Sequence, residues 1–275
     1  MPTKLPNMKN EDTVPYLSYP ALEAAGIVVH GFSTRMGGVS KGHLASMNLG
    51  FSRGDEDIHV HENFERIAAS IGFAVSDMVF SSQTHTTNIR VVTDQDRGKG
   101  ITRALDYTDV DGLVTNIPGL VLTTFYADCV PLFFVDPVAK AIGLSHSGWK
   151  GTVGKIGKAT VERMVQEYGC QPEHILAAIG PSICQDCYEV SEDVIAEFKQ
   201  HYREAAWASL FYKKSNGKFQ LNLWRANEIV LQEAGILPEH ISITNVCTGC
   251  NSEWLYSHRA SGGMRGSLAA FLGLK

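Results

Sequence analysis

The chain has 275 residues, 44% apolar and 19% charged, a balance that excludes a disordered polymer and suits one large domain or two fused halves. Its formal charge is −5, from 24 Lys and Arg against 29 Asp and Glu, so no general basic footprint for nucleic acid exists and any grip on phosphate must be local. No apolar run approaches the roughly 18 consecutive residues of a spanning helix, and the first 20 residues lack the apolar core of a secretory leader. A soluble, cytoplasmic protein with neither membrane nor nucleic acid as partner is expected.

Residues 1–20 mix Lys, Asn, Asp and Pro and read as a loosely held N-terminal arm, leaving 21–275 as a single domain. Ile27, Val28 and Val29 open a short strand that runs into a glycine-bearing loop at 33–40. Ile58, Phe64, Ile67, Ala68 and Ile71 have helical spacing and predict a helix over 57–71. Short β-rich runs follow at 78–81, 88–93, 110–115, 120–126, 131–135 and 141–145, punctuated by Gly, Pro, Asp and Asn. A helix is predicted over about 154–168 and a strand at 175–180, then helices at 191–204 and 225–234. Strands are expected again at 241–246 and 253–257, while 264–273 suits either state. Clustered strands with helices before and after them indicate α+β rather than a regular βαβ repeat. Neither the dinucleotide glycine motif nor the P-loop motif occurs.

Chemistry concentrates around one predicted hairpin. Two apolar runs flank Asp136, Pro137, Val138 and Ala139, whose Asp-Pro start favours a turn. A turn centred between 137 and 138 would set Cys129 directly opposite His146, and opposed residues have Cβ atoms about 4.5–5.5 Å apart. A bulge at Pro131 would spoil that register. After His146, the glycines of Ser147, Gly148, Trp149, Lys150 and Gly151 lead into a helix, with Lys150 as a nearby charge for an anion. His85, just past the strand 78–81, is a third candidate ligand. Two imidazoles and one thiolate make a plausible catalytic zinc set with a fourth position for water.

Six cysteines without a leader read as reduced thiols. Cys184/Cys187 and Cys247/Cys250 are both C-x-x-C pairs and together suggest a four-thiolate zinc site. The gap between the pairs, however, is far longer than the about 15–20 residues of a zinc ribbon. Asp186 between the first two sulfurs opposes a redox role. Separate thiols are therefore the expected arrangement, with Cys170 structural.

These residues also carry a resemblance. The chain resembles the YfiH/YlmD-type family, long labelled "multicopper polyphenol oxidase" or "laccase domain" and now described as purine nucleoside phosphorylases. The matching segments are Ser33, Thr34, Arg35 with Gly37, Gly38, Val39, Ser40; Asn48, Leu49, Gly50; Gln83, Thr84, His85; and 109–115 from Asp109 to Thr115. They continue with 127–131 around Cys129, 146–151 from His146, 179–182, 187–190 from Cys187, Cys247 with Thr248, and Ser257, His258, Arg259. The resemblance implies an α+β fold of layered mixed β-sheets flanked by helices, an α/β/β/α-type sandwich. It implies zinc on the matching His85, Cys129 and His146, which would be the catalytic set. It also implies phosphorolysis of adenosine, inosine, guanosine and methylthioadenosine, and deamination of adenosine, with purine nucleosides and phosphate as partners. Thr86 stands where Gly is common and Lys150 where Arg is frequent, the latter loosening bidentate anion binding.

Phosphorolysis needs a cation for phosphate, and Arg35, Lys150, Arg259 and Arg265 all stand within or beside glycine-bearing motifs. Asn48 and Gln83 are the candidates for reading base or sugar edges. The zinc-deaminase signature is missing, so no general acid is identified, and strand alternation points Asp128 away from its neighbour Cys129. A four-copper oxidase lacks ligands, because His59 and His61 are the only H-x-H pair among ten histidines. The rival reading is a Cys-His amide hydrolase acting on cell-wall precursor peptides, with Cys129 as nucleophile and His146 as base. A monomer or small homo-oligomer is expected.

Overall fold

The computed structural model describes residues 5–10 and 12–275. In chain order it runs β1 (Met8–Lys9), β2 (Tyr16–Leu17), α1 (Pro20–Ala24), β3 (Val28–Ser33), α2 (Asp57–Ile71), β4 (Met78–Phe80), β5 (Ile89–Val91) and β6 (Gly112–Thr115). Next come β7 (Val121–Tyr126), β8 (Val130–Asp136), β9 (Ala141–Ser147), α3 (Trp149–Val153), α4 (Ile156–Tyr168) and β10 (Leu176–Ile179). The last third holds β11 (Glu189–Val190), α5 (Glu192–His201), α6 (Glu204–Leu210), β12 (Phe211–Lys213), β13 (Phe219–Leu221), α7 (Leu223–Glu233), β14 (Ile241–Ile243) and β15 (Leu268–Leu274).

Two six-stranded mixed sheets, ordered β1-β2-β3-β15-β7-β4 and β14-β10-β8-β9-β6-β5, stack face to face. Strand alternation explains the layering. On β8, Phe133 and Val135 enter the core between the sheets, beside Phe32, Leu122 and Leu272 of the first sheet. Leu132 and Phe134 point the other way, against Ile156, Val161 and Met164 of α4 and Val230 and Leu231 of α7. Helix α2 covers the outer face of the first sheet with Val60, Phe64, Ile67 and Ala68 packed on Val121 and Phe271. The expected α/β/β/α sandwich is therefore present. Within α2, Ile58 departs from its sequence reading and lies 71% exposed.

Differences from the expected elements are local. The 253–257 strand is absent: Trp254 and Leu255 N–H both donate to Asn251 O, closing a turn instead. The ambiguous tail is β15, a central strand between β3 and β7 with all seven residues buried. A third, three-stranded sheet, β11-β13-β12, comes from runs too short to show periodicity. Within the described part of residues 1–20, β1 and β2 extend the first sheet past β3, and Leu5, Met8, Leu17 and Tyr19 are buried. This stretch is strapped to the sheet edge and is not loosely held.

His30 on β3 is buried, and its Nε2 accepts the Tyr19 N–H at 2.9 Å. Burial holds its pKa down at about 4, against 6.5 in an open chain. Between those values the unfolded chain takes a proton that the folded one refuses, so stability falls as pH drops through 6.5 towards 4. The loss should reach about 3 kcal/mol, with no effect above pH 7. Urea unfolding at pH 7 and pH 4.5 checks this: His30→Gln should remove most of that pH-dependent difference, and an unchanged difference refutes it.

Candidate active site

The hairpin forms with its register two residues away from the expected one. Val130 pairs with Ser147 and Pro131 with His146, so Cys129 does not face His146 directly. The turn sits one residue later, because Asp136 Oδ1 accepts both Val138 N–H and Ala139 N–H at 2.9 Å. A shift of two keeps side-chain parity, so Cys129 still stands on the His146 side as a diagonal neighbour. Asp128 before it adopts φ 91°, turning the chain into the strand. Its carboxylate accepts Thr248 Oγ1–H and Arg259 N–H, each at 2.7 Å, and so ties two distant loops to this turn.

His85 arrives from the loop after β4. That loop wraps the Asp111 carboxylate, which accepts the N–H groups of Thr84, His85 and Thr86 at 3.0, 3.1 and 2.9 Å. His85 takes φ 67° to complete the wrap. The same carboxylate accepts His146 Nδ1–H at 2.8 Å, which leaves His146 Nε2 facing inward. One fully buried Asp111 thus orients both imidazoles. In the sequence Asp111 is marked only as an acid at the entry to an apolar strand.

The ligating atoms of His85, Cys129 and His146 all lie within 4.8 Å of one another, with Cys129 Sγ 3.9 Å from His85 Nε2. This group can hold a metal ion. Gly148 is required beside it, since an added Cβ would come within 2.6 Å of His85 Cδ2 and 3.2 Å of Cys129 Sγ. Burial pushes the Cys129 thiol up, but the His146 imidazolium overrides it and holds the thiol at about 6. Burial lowers His146, and Cys129 with Asp111 raise it to about 9. Burial raises Asp111, and its bonds from His146, Thr84 and Thr86 bring it down to about 2. The shifts of all three favour their charged forms.

Two cavities share His85 and Cys129 as a common wall. One, of about 290 Å³, is lined by Trp149, Lys150, Ile183, Tyr188 and Leu223. The other, of about 390 Å³, is lined by His146, Phe51, Arg53, Phe125 and Arg265. Of the residues expected to bind substrate, Lys150 reaches the first cavity and Gln83 the second. Gln83 is spent on structure, pairing with Phe125 through Nε2 to O at 2.8 Å and N–H to Oε1 at 2.6 Å. Arg35 and Asn48 line neither cavity. Arg35 donates to Ala45 O and Ser252 O and stacks over Tyr256; Asn48 ties Gly50, Asp55 and Ser267 together. Arg259 lines neither cavity; it bonds Glu189 O at 2.8 Å and lies over Tyr188, which lines the first.

Arg53 was not anticipated. Its Nε and the Arg265 Nη1 both donate to Ser267 Oγ at 3.2 Å, bringing two guanidiniums to one cavity. Burial lowers Arg265 to about 10, with the Arg53 charge adding to the effect, and it remains a cation at neutral pH. Its Nε is buried without a hydrogen-bond partner.

A two-sheet sandwich with a two-imidazole, one-thiolate cluster in the wall between two cavities is the class that fold and site define. The chain belongs to the family described as multi-copper polyphenol oxidoreductase laccase, whose model matches residues 29–275. It is 41% identical over 257 residues to a purine nucleoside phosphorylase of Deinococcus radiodurans, covering 93% of each chain. It is 35% identical over 238 residues to adenosine deaminase RL5 of an unknown prokaryotic organism, covering 85% of this chain and 89% of that one. The crystal structure of YlmD from Geobacillus stearothermophilus superposes with a TM-score of 0.89 at 34% identity, over 98% of this chain and 99% of that one. The family's copper description finds few ligands here. Among the described residues only two imidazoles enter the cluster, while His59 pairs with Asp55 and His61 packs edge-on to Phe51. Among the described residues, no helix is long and apolar enough to cross a membrane.

Proposed function

We propose that this chain is a zinc-dependent purine nucleoside enzyme, catalysing phosphorolysis of adenosine, inosine, guanosine and methylthioadenosine and deamination of adenosine. The observation that carries the reading is the meeting of two cavities at His85 and Cys129, beside His146, one with an aromatic wall and one with two arginines. The named activities of the relatives point the same way. Residues 21–275 then act as one catalytic domain in the cytoplasm, as a monomer or small homo-oligomer.

His85, Cys129 and His146 fit zinc by donor chemistry: a borderline-soft ion takes imidazole and thiolate together, and Asp111 supplies the carboxylate that fixes the His146 tautomer. When bound there, zinc would supply Lewis acidity. The remaining work belongs to the chain itself. Trp149 and Tyr188 offer flat apolar surface for a purine ring, and Lys150 stands beside them. Arg265 and Arg53 both line the second cavity and offer fixed positive charge to phosphate there. In phosphorolysis the bond from ribose to the purine nitrogen breaks and a bond from ribose to phosphate oxygen forms. The arginines hold the entering phosphate for that exchange, and the aromatic wall orients the departing base.

Chromatography of products tests the reading. Adenosine with phosphate should give adenine and ribose 1-phosphate, and adenosine without phosphate should give inosine. Chelation should abolish both. Arg265→Ala should raise KM for phosphate by about tenfold or more, one charge-assisted contact, and leave deamination unchanged. No turnover of any purine nucleoside overturns the proposal, and amide hydrolysis that survives chelation replaces it with the thiol hydrolase.

A further inference from the structure

The four cysteines of the two C-x-x-C pairs do not stand apart as expected. Cys184, Cys187, Cys247 and Cys250 bring their sulfurs within 4.8 Å of one another, with Cys184–Cys250 at 3.9 Å and Cys187–Cys250 at 3.4 Å. All are free thiols, and these separations exceed the about 2.05 Å of a disulfide. They bracket the about 3.8 Å edge of a tetrahedron whose centre is a metal bonded to sulfur at about 2.3 Å. Cys247 Sγ also accepts the N–H groups of Cys184 and Cys250 at 3.2 and 3.4 Å, which stabilises negative charge on that sulfur.

The long sequence gap between the pairs is bridged by the sheet. Strands β10 and β14 run parallel, Ala177 beside Ile241, and the pairing continues past their ends as a bridge between Ser182 and Cys247. Both C-x-x-C segments therefore emerge side by side at one edge of the sheet.

We infer that these four cysteines form a second, structural zinc site, distinct from the His85–Cys129–His146 group. Four thiolates leave no position for a reactant, which marks a closed site. Its place explains its use. The segment it holds on one side carries Ile183 and Tyr188 of the aromatic cavity, and Ile183 N–H donates to Asp128 O at 3.0 Å. The segment on the other side carries Thr248, whose hydroxyl grips the Asp128 carboxylate. Zinc here clamps both segments around Asp128, the residue before Cys129.

Metal analysis of purified full-length protein tests the assignment in three forms. The wild type should carry two zinc per chain, Cys129→Ser one, and Cys250→Ser one. Cobalt loaded into Cys129→Ser should give intense sulfur-to-metal charge-transfer bands, which needs no destabilising change in the cluster itself. One zinc in the wild type and none in Cys129→Ser overturns the second site while leaving the catalytic reading intact. One zinc retained in Cys129→Ser and lost in Cys250→Ser supports the second site even if the catalytic reading fails. Iron in place of zinc, or a metal-free chain with the four cysteines paired as disulfides by mass, overturns it.

Discussion

Asp111→Ala should cost the protein about 4 kcal/mol of stability and lower its metal affinity about 10–100-fold at the His85–Cys129–His146 group. Deleting this carboxylate leaves the N–H groups of Thr84, His85 and Thr86 and the Nδ1–H of His146 without their acceptor inside a buried pocket. Those orphaned donors account for the stability loss. In a chain this long, about 4 kcal/mol lowers the Tm by roughly 10 °C. Asp111→Asn keeps the shape but turns an NH2 group towards one of the donors, so it should fall between wild type and Ala. Thermal unfolding paired with metal analysis checks both effects. Wild-type zinc content and Tm in Asp111→Ala would show that Asp111 does not position the histidines.

Cys129→Ser should lose about 10³-fold in kcat/KM for nucleoside, since several kcal/mol of transition-state stabilisation goes with the thiolate ligand. Its stability should change little in the metal-stripped protein, because Cys129 is only half-buried at the cavity wall. The pair of variants therefore separates positioning from participation: Asp111→Ala weakens fold and site together, Cys129→Ser the site alone. Steady-state kinetics with adenosine and inosine, beside a unfolding curve after chelation, gives both readouts. Activity of Cys129→Ser within tenfold of wild type would remove the thiolate from the chemistry.

Much of this arrangement is legible before any coordinates. The helix over 57–71 and most of the strands follow from apolar spacing, and α2 begins and ends at the expected residues. The convergence of His85, Cys129 and His146 is also readable, because a register error of two residues preserves the face on which each side chain stands. An error of one would have failed. What is not legible depends on contacts between distant segments. Arg35 and Asn48 look like ligands for substrate, yet backbone carbonyls and amides of loops far along the chain consume their hydrogen bonds. Arg53 carries no motif and acquires its position from Ser267 on the opposite strand entry. The two C-x-x-C pairs fail the ribbon spacing because a parallel strand pair, and not a short loop, brings them together.

A partition with an opening on either side changes how reactants meet. His85 and Cys129 belong to both chambers, so the base and the oxyanion need not queue through one doorway or climb over each other to arrive. Two chambers set on one wall give a nucleoside and an anion room to stand on opposite sides of the same pair of residues at once.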